Sequence, residues 1–181
     1  MEYRIDQDLF LSTFSESDVA SLVKWLNDQV IYQNTYHIPY PYTEKDALEF
    51  ISKTRRNTER EGKTVNFAIR HRSEGLIGGI GFFRGEANAE HSREIGYWLA
   101  EPFRGQGLMG KAVGRLVQYL VEEWQVKRVV ASVIQSNAAS RRVLEKAGFT
   151  QEGYLRKRFQ KNGVFLDVYL YALLIETQAQ T

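Results

Sequence analysis

The spacing of apolar positions changes from segment to segment, and this spacing predicts which segments are strands and which are helices. Alternating or short continuous apolar runs predict strands. These are Leu9–Phe14, Val65–His71, Leu76–Phe83, Arg93–Ala100, Val126–Ile134, Phe149–Arg158 and Val164–Leu174. Apolar residues three and four positions apart predict helices. These are Ser15–Leu26, Thr43–Arg60, Gly107–Trp124 and Asn137–Ala147.

Turn-prone residues between these segments indicate how they connect. Several turns are short enough to favour antiparallel hairpins. They are Arg72–Gly75, Gly85–Asn88 and the dipeptide Asn162-Gly163. The stretch Gln29–Tyr42 contains Pro39 and Pro41, so it cannot be one continuous helix. With no repeat or linker in between, we expect one mixed α/β domain over residues 1–181, with a free tail from about Ile175.

The composition argues against several classes of protein. The 181 residues include 24 basic and 22 acidic side chains, and a net charge of +2 is too balanced to indicate nucleic-acid or membrane binding. There is no cysteine and the three histidines are far apart, so neither a thiolate nucleophile nor a metal site is expected. No apolar run approaches the roughly 18–20 residues of a membrane span, and the first residues do not resemble a signal peptide. We therefore expect a cytoplasmic protein.

The segment Arg104–Gly110 (RGQGLMG) follows a predicted strand and begins a predicted helix. Backbone N–H groups at such a helix start bind anions, and glycine lets the backbone approach a phosphate closely. Arg104 adds a charged, forked set of donors. A phosphate-bearing ligand is therefore our hypothesis, and a helix start that merely needs a tight turn is the alternative.

Two nucleotide-binding patterns match this segment incompletely. Gly105, Gly107 and Gly110 have the spacing of a dinucleotide fingerprint, but no acidic residue stands at the tip of the next strand to bind a ribose. Gly105–Lys111 resembles a P-loop, but Ala112 stands where a magnesium-binding serine or threonine is needed. Neither nucleotide interpretation accounts for the whole pattern.

A third interpretation is coenzyme A binding, because several motifs together resemble the GNAT superfamily of acetyltransferases and its RimJ/RimL branch. Arg104 and Gly107 fit the superfamily's pyrophosphate motif, and Met109 at its small final position resembles the branch variant RGxGLM. Further segments resemble motifs of the branch in the same order. They are Ile38–Thr43 with Asp46-Ala47, Glu94–Leu99 (EIGYWL) and Asn137–Phe149. The resemblance covers residues 8–174 and implies the GNAT fold, with a splayed, mostly antiparallel sheet of about seven strands and about four helices.

The same resemblance implies how acetyl-coenzyme A binds. Pantetheine lies along Tyr97, Trp98 and Leu99, where a backbone N–H polarises the thioester carbonyl. Asn137 contacts pantetheine, and the loop contacts the pyrophosphate. The loop residues are Arg104, Gly105, Gln106, Gly107, Leu108, Met109 and Gly110. Core packing is the alternative for the side chains of Tyr97 and Trp98, and helix capping is the alternative for Asn137.

Two residues are candidates for proton transfer in this scheme. Glu94 lies on the strand beside the thioester and is the candidate base that accepts a proton from the acceptor amine. A salt bridge to Arg93 or another neighbour is the alternative role. Ser140 is the candidate donor to the leaving thiolate, because Leu144 stands where many GNAT enzymes have a tyrosine. The alternative for Ser140 is a hydrogen bond to its own helix backbone.

The acceptor is an amine, and the RimJ/RimL resemblance implies a protein N-terminal α-amine. A free α-amine has a pKa of about 7.7–8.0, so roughly a tenth of it is neutral at pH 7, whereas a lysine amine is almost entirely charged. Tyr36, His37 and Tyr40 are the candidate acceptor-binding residues. The alternatives are a small-molecule amine such as an antibiotic, a nucleotide enzyme, and a non-catalytic coenzyme A-binding module. We expect a monomer or homodimer, without a metal.

Overall fold

The computed structural model describes residues 2–84 and 89–176. Within them, eight strands form one sheet. The strands are β1 (Glu2–Arg4), β2 (Leu9–Ser12), β3 (Asn66–His71), β4 (Gly75–Arg84), β5 (Ser92–Leu99), β6 (Arg128–Ile134), β7 (Thr150–Lys161) and β8 (Val164–Leu174). The α-helices in the same residues are α1 (Val19–Leu26), α2 (Gln29–Gln33), α3 (Glu44–Glu61), α4 (Leu108–Trp124) and α5 (Ala138–Lys146).

The sheet is mostly antiparallel, in the order β1-β2-β3-β4-β5-β6-β8-β7. Every pairing described residue by residue is antiparallel, except that β5 and β6 run parallel. The predicted mixed α/β fold with a mostly antiparallel sheet is therefore confirmed. One strand and one α-helix were not predicted, because the three residues of β1 and the five residues of α2 are too few to show a periodicity.

Capping residues set the bounds of α3. The Thr43 hydroxyl accepts a hydrogen bond from the Asp46 N–H (3.3 Å), while the Asp46 carboxylate accepts one from the Thr43 N–H (2.8 Å). This reciprocal capping box satisfies two backbone donors and begins the helix. Gly62, with φ of 68°, ends it in the left-handed conformation that glycine adopts at little cost.

Residues 2–81 and 97–112 form a first compact unit. Its buried apolar cluster draws on α1, α2, α3, β3 and β4, and comprises Leu22, Leu26, Ile31, Tyr42, Ala47, Ile51, Ala68 and Leu76. Trp98 of β5 packs against this cluster. A Cβ at Gly79 would lie 2.5 Å from Trp98 Nε1, and a Cβ at Gly78 would lie 2.7 Å from the Trp98 carbonyl oxygen. The glycines of β4 are therefore needed for β5 to pack closely against it.

The described residues of 82–96 and 113–176 form a second compact unit. Its buried side chains come mainly from α4, β6, α5 and β8, and include Val113, Leu116, Tyr119, Leu120, Val129, Ala131, Val133, Leu144, Val168, Tyr171 and Ala172. The apolar stripe predicted on α4 is largely buried, with Val117 and Val121 half buried at its margin. Phe82 packs edge-on against Trp124, with ring centroids 5.2 Å apart.

β7 and β8 form the predicted hairpin. Asn162 and Gly163 both have positive φ, 50° and 79°, as a two-residue hairpin turn requires. β7 continues beyond its predicted end at Arg158, because pairing with β8 resumes after a register shift between Leu155 and Phe159. A bulge of this kind interrupts the alternation of side chains, which is why the sequence pattern ended early.

Parts of two predictions lie outside the described residues, namely the turn Gly85–Asn88 and positions 177–181 of the tail. Ile175 was expected to begin that tail, but its N–H donates to the Lys127 carbonyl at 2.9 Å, so this part of the prediction is wrong. No helix in residues 2–84 and 89–176 is long and apolar enough to cross a membrane. That residues 1–181 form one domain stays a prediction.

Candidate active site

The glycine loop has the geometry of an anion-binding helix start. Gly105 and Gly107 have φ of 77° and 76°, in the left-handed region that favours glycine. α4 begins at Leu108, and the N–H of Lys111 donates to the Gly107 carbonyl at 3.3 Å. The N–H groups just before Lys111 belong to the first helical turn, which lacks intrahelical acceptors. A Cβ at Gly105, Gly107 or Gly110 would meet no other described atom within 4 Å, so the loop has room for a phosphate.

Two ion pairs bracket the glycine loop. Arg104 Nη2 donates to Asp28 Oδ2 at 2.5 Å, and Arg104 Nε donates to the Leu99 carbonyl at 2.9 Å. At the other end, Lys111 Nζ donates to Asp6 Oδ2 at 2.6 Å. The guanidinium of Arg104 was expected to offer its charge to a phosphate, but here it lies against a carboxylate. The backbone N–H groups of the loop are therefore the better candidates for binding phosphate.

Asp28 is a residue of this site that the sequence analysis missed. Its Oδ1 accepts hydrogen bonds from the N–H groups of Val30 (2.6 Å) and Ile31 (3.3 Å), so it caps α2 while its Oδ2 holds Arg104. Burial raises the pKa of Asp28, but the Arg104 guanidinium and the two N–H groups outweigh it and hold that pKa below its usual range. An aspartate before the apolar pair Val30-Ile31 is a capping signal, but it gives no hint of a partner 76 residues away.

The remaining loop residues have different surroundings. Met109 is 6% exposed, so its side chain anchors the start of α4 in the core and only its backbone can face a ligand. Gln106 is exposed, and its Nε2 donates to the Pro102 carbonyl at 2.9 Å. Leu108 and Gly110 are half buried. The methionine at the small position of the pyrophosphate motif is thus explained by packing.

The ladder between β5 and β6 is short. Its parallel register joins Ser92 to Arg128, Arg93 to Val129 and Glu94 to Val130. β5 continues to Leu99 and β6 to Ile134, yet among the described residues no register pair joins these strands beyond Glu94 and Val130. A strand released from its partner has backbone N–H and C=O groups to offer to a ligand.

The side chains of Trp98 and Leu99, at the end of β5, pack within the first unit. The Trp98 side chain packs against the core of the first unit, which was the alternative role considered for it. Leu99 is 9% exposed, and its carbonyl is occupied by Arg104. Tyr97 is half buried. If this segment contacts a ligand, Trp98 and Leu99 therefore do so through backbone atoms.

Glu94 is half buried and forms no ion pair with any residue in the described part of the chain. Arg93, considered above as its salt-bridge partner, is 7% exposed and donates to the carbonyls of Glu90 and Ser92, each at 2.7 Å. The Arg93 guanidinium also lies 5.1 Å from the centroid of the Trp124 ring. The Arg93–Glu94 salt bridge was therefore wrong, and the Glu94 carboxylate stays the candidate base.

Asn137 and Ser140 lie together at the start of α5. Asn137 Oδ1 accepts a hydrogen bond from the Ser140 N–H at 3.0 Å, so Asn137 caps the helix. Leu144, one turn further on, is 0% exposed and belongs to the core of the second unit. Arg141 lies over the Tyr169 ring, 4.9 Å from its centroid. Ser140, which is half buried, remains the candidate proton donor of this helix.

The candidate acceptor residues follow α2. The rings of Tyr36 and His37 lie 6.4 Å apart, and Tyr40 is 44% exposed with its ring 5.7 Å from that of Tyr32. These residues lie in the first unit, together with the glycine loop and the end of β5. The second unit holds the others, which are Glu94, Asn137 and Ser140.

A comparison with protein families identifies the kind of enzyme. Residues 8–150 match the profile of the family described as acetyltransferase (GNAT) domain, which is well over half of the chain. The chain belongs to the GNAT acetyltransferase family. It is therefore an acyltransferase that takes its acetyl group from acetyl-coenzyme A, and the open helix start described above fits the phosphates of that donor. Among the described residues, no cluster of three or more side chains could hold a metal ion.

Individual GNAT relatives agree with the RimJ/RimL-like branch. The probable N-acetyltransferase YjcK of Bacillus subtilis is 35% identical over 134 residues, which cover 74% of this chain and 74% of that protein. The ribosomal-protein-serine acetyltransferase of Escherichia coli is 29% identical over 177 residues, covering 97% of both chains. The predicted resemblance to this branch is confirmed.

Solved GNAT structures share the fold. An acetyltransferase of the GNAT family from Bacillus anthracis superimposes with a TM-score of 0.82 at 26% identity, covering 96% of this chain and 98% of that one. RimL, a ribosomal L7/L12 α-N-protein acetyltransferase solved with coenzyme A, superimposes with a TM-score of 0.85 at 23% identity, covering 97% and 98%. The second likeness shows the fold alone.

The GNAT assignment decides between the interpretations of the glycine loop. The loop does lie in a parallel β5–α4–β6 unit, but the residues after β6 are Gln135, Ser136 and Asn137, so the acidic residue that a dinucleotide fingerprint needs for the ribose is missing. The P-loop interpretation requires a lysine that reaches phosphates, whereas Lys111 pairs with Asp6. Both nucleotide interpretations are therefore set aside in favour of coenzyme A.

Proposed function

We propose that this GNAT enzyme transfers the acetyl group of acetyl-coenzyme A to the α-amine of a protein N-terminus. The observation that carries this choice of acceptor is the similarity, over 97% of both chains, to the ribosomal-protein-serine acetyltransferase. The chemistry of Glu94 supports it, because this carboxylate has no ion-pair partner among the described residues. An α-amine has a pKa close to neutral, so a single carboxylate acting through a water molecule suffices as its base.

In this proposal the donor is held mainly by backbone. The N–H groups of the loop 105–110 bind the pyrophosphate, and the backbone of Tyr97–Leu99 runs beside pantetheine. Arg104 and Lys111 hold the ends of the loop through Asp28 and Asp6. Acetyl-coenzyme A supplies an acetyl group that is activated as a thioester.

Proton transfer is divided between the two candidate residues. Glu94 accepts a proton from the acceptor ammonium, which leaves a neutral nitrogen to form the new bond to the acetyl carbon. A backbone N–H at the end of β5 stabilises the charge that develops on the carbonyl oxygen. As the carbon–sulfur bond breaks, the second proton of the nitrogen passes to the departing thiolate, to which the Ser140 hydroxyl donates a hydrogen bond, and coenzyme A leaves as its thiol. Tyr36, His37 and Tyr40 flank the acceptor.

An acceptor screen tests this function directly. The panel contains peptides with a free N-terminal serine or alanine, the same peptides blocked at the N-terminus but carrying a lysine, and small amines including an aminoglycoside. Thiol release is the readout. We expect release only with free α-amines. Release only with small amines would identify a small-molecule acetyltransferase, and acetyl-coenzyme A binding without release for any amine would indicate a non-catalytic module.

A further inference from the structure

The β7–β8 hairpin, residues 150–174, contains four basic and two acidic residues, and all four basic ones lie between the two acidic ones, Glu152 and Asp167. The segment 153–166 contains four of the 24 basic residues and none of the 22 acidic ones, while the net charge of the whole chain is only +2. The remainder of the chain is therefore net negative.

Arg156, Lys157 and Arg158 are consecutive and exposed, and none of them forms a direct ion pair with a described residue. We call these three residues the hairpin cations. The charges of Arg156 and Lys157 do act on the nearby Asp167 carboxylate, whose pKa is lowered first by the Tyr154 hydrogen bond, then by the Lys157 N–H, and also by these two cations.

A bulge holds the hairpin cations in a defined arrangement. The register of β7 against β8 shifts between Leu155 and Phe159, and Lys157 has φ of 52°, which is unfavourable for a residue with a side chain. Asp167 of β8 stabilises this conformation. Its Oδ1 accepts a hydrogen bond from the Lys157 N–H at 2.7 Å, and its Oδ2 accepts one from the Tyr154 hydroxyl at 2.6 Å. The side chains of β8 thus fix the backbone that carries the cations.

Apolar side chains accompany the hairpin cations. Lys157 Nζ lies 5.2 Å from the centroid of the Phe165 ring, and the Arg158 guanidinium lies 5.7 Å from that of Phe159. Phe165 is 54% exposed and its neighbour Val164 is 61% exposed. β7 is also the last strand of the sheet, so its outer edge has backbone groups that can pair with an extended peptide. Cations, apolar groups and a strand edge together suit a polypeptide better than a nucleic acid.

Ring contacts connect this surface to the helix that carries Ser140. The ring centroids of Tyr154 and Tyr169 lie 5.1 Å apart. Arg141, the residue after Ser140, lies over the Tyr169 ring. These residues all belong to the second unit. A polypeptide bound at the hairpin is therefore held by the same packed unit as the proposed proton donor.

We propose that the hairpin cations dock acidic side chains of the acceptor polypeptide, so that the enzyme prefers proteins whose N-terminal region is acidic. The catalytic consequence rests on the proposed transfer to an α-amine. The docking itself does not rest on that transfer, because peptide binding can be measured with a peptide that cannot be acetylated.

The binding experiment uses a fluorescent peptide rich in aspartate and glutamate, with its N-terminus already acetylated. The comparison peptide has asparagine and glutamine at the same positions, and an RNA oligonucleotide of equal charge is the third probe. We expect the acidic peptide to bind at least about fivefold tighter than the neutral one, with the difference shrinking as salt screens the charges. Arg156→Gln with Arg158→Gln should abolish the difference. Arg156→Glu with Arg158→Glu should reverse it, so that the neutral peptide binds more tightly than the acidic one.

The matched control replaces two exposed cations of α3, Lys53→Gln with Arg55→Gln, and should leave the preference unchanged. Equal binding of acidic and neutral peptides by the unaltered enzyme would overturn the proposal, as would RNA that binds more tightly and displaces the peptide. Charge reversal that causes self-association without changing peptide binding would show instead that the cations protect the edge of β7. Failure of the proposed function would give a different result. Acidic peptides with free N-termini would then bind, but the enzyme would release no thiol from acetyl-coenzyme A.

Discussion

Arg104 and Asp28 form a 2.5 Å ion pair across 76 residues of sequence, and this pair ties the glycine loop to the cap of α2. Both side chains are largely buried, at 31% and 18% exposed. Arg104 also holds the carbonyl that ends β5, at Leu99. One guanidinium therefore joins the proposed phosphate loop, the proposed pantetheine strand and the helix that precedes the acceptor segment.

Removing the charge of Asp28 should loosen the loop while keeping the cap. Asparagine is as good an N-cap as aspartate, so Asp28→Asn should cost at most about 1 kcal/mol of unfolding free energy, whereas Asp28→Ala should cost about 1 kcal/mol more. Both variants should raise KM for acetyl-coenzyme A severalfold with little change in kcat. Urea unfolding and donor saturation curves measure these effects. Arg104→Gln combined with Asp28→Asn should be little worse than either change alone, and additive losses would show that the two residues act independently.

Gly107 offers a test with a closely matched control. Gly107 and Gly62 have φ of 76° and 68°, and a Cβ at either would meet no described atom within 4 Å. Gly107→Ala and Gly62→Ala should therefore cost a similar amount of stability, about 1–2 kcal/mol, from backbone strain alone. Only Gly107→Ala should raise KM for acetyl-coenzyme A, by about tenfold, because its Cβ occupies the phosphate approach. Equal KM values in the two variants would remove Gly107 from the site.

Periodicity was sufficient for most of the fold. Within residues 2–84 and 89–176 it located the strands and α-helices long enough to repeat a pattern, and it missed the three residues of β1, the five of α2 and the short 3-10 helix Glu101–Phe103. The glycines of β4 were visible in the sequence, but their reason was not. Gly78 and Gly79 accommodate Trp98, a contact between two strands that no local pattern records.

The site was predicted less completely, because side-chain partners depend on tertiary contacts. The sequence located the glycine loop and the Asn137 cap, since both depend on neighbouring residues. From the sequence we expected the Arg104 charge to be available to a phosphate, and we considered Arg93 as the salt-bridge partner of Glu94. In the structure Arg104 pairs instead with Asp28, which is far away in the chain, and Arg93 stacks against Trp124.

The pair Asp6–Lys111 should make stability depend on pH in a specific window. Hydrogen bonds from Lys111 and from the N–H groups of Asp8 and Leu9 lower the pKa of Asp6 to about 2. A carboxylate with a depressed pKa stabilises the fold above its unfolded pKa of about 3.9, and this contribution is lost as the pH falls toward 2. Asp6→Asn should therefore be less stable than the unaltered protein at pH 7, and the gap should narrow below about pH 4. Urea unfolding midpoints of both proteins, measured across this pH range, check this prediction. A difference in stability that does not change with pH would contradict it.

Ser140→Ala tests the proposed donor to the leaving thiolate. The Ser140 N–H bond to Asn137 uses backbone, so Ser140→Ala keeps the cap of α5 and should keep its fold. Turnover should fall by about tenfold or more, while KM for acetyl-coenzyme A stays close to its original value. Ser140→Thr should restore part of the rate because it returns a hydroxyl. Single-turnover thiol release measures the step, and an unchanged rate in Ser140→Ala would remove this role.

Glu94→Gln tests the proposed base through the pH dependence of the rate. Glutamine keeps the size of the side chain but cannot accept the proton, so kcat at pH 7 should fall by about tenfold to a hundredfold. The deficit should shrink as the pH rises above about 9, because an α-amine is then neutral without assistance. A purely structural role for Glu94 would give a deficit that does not change with pH. Glu49→Gln, on an exposed glutamate of α3, is the control and should match the unaltered enzyme at every pH.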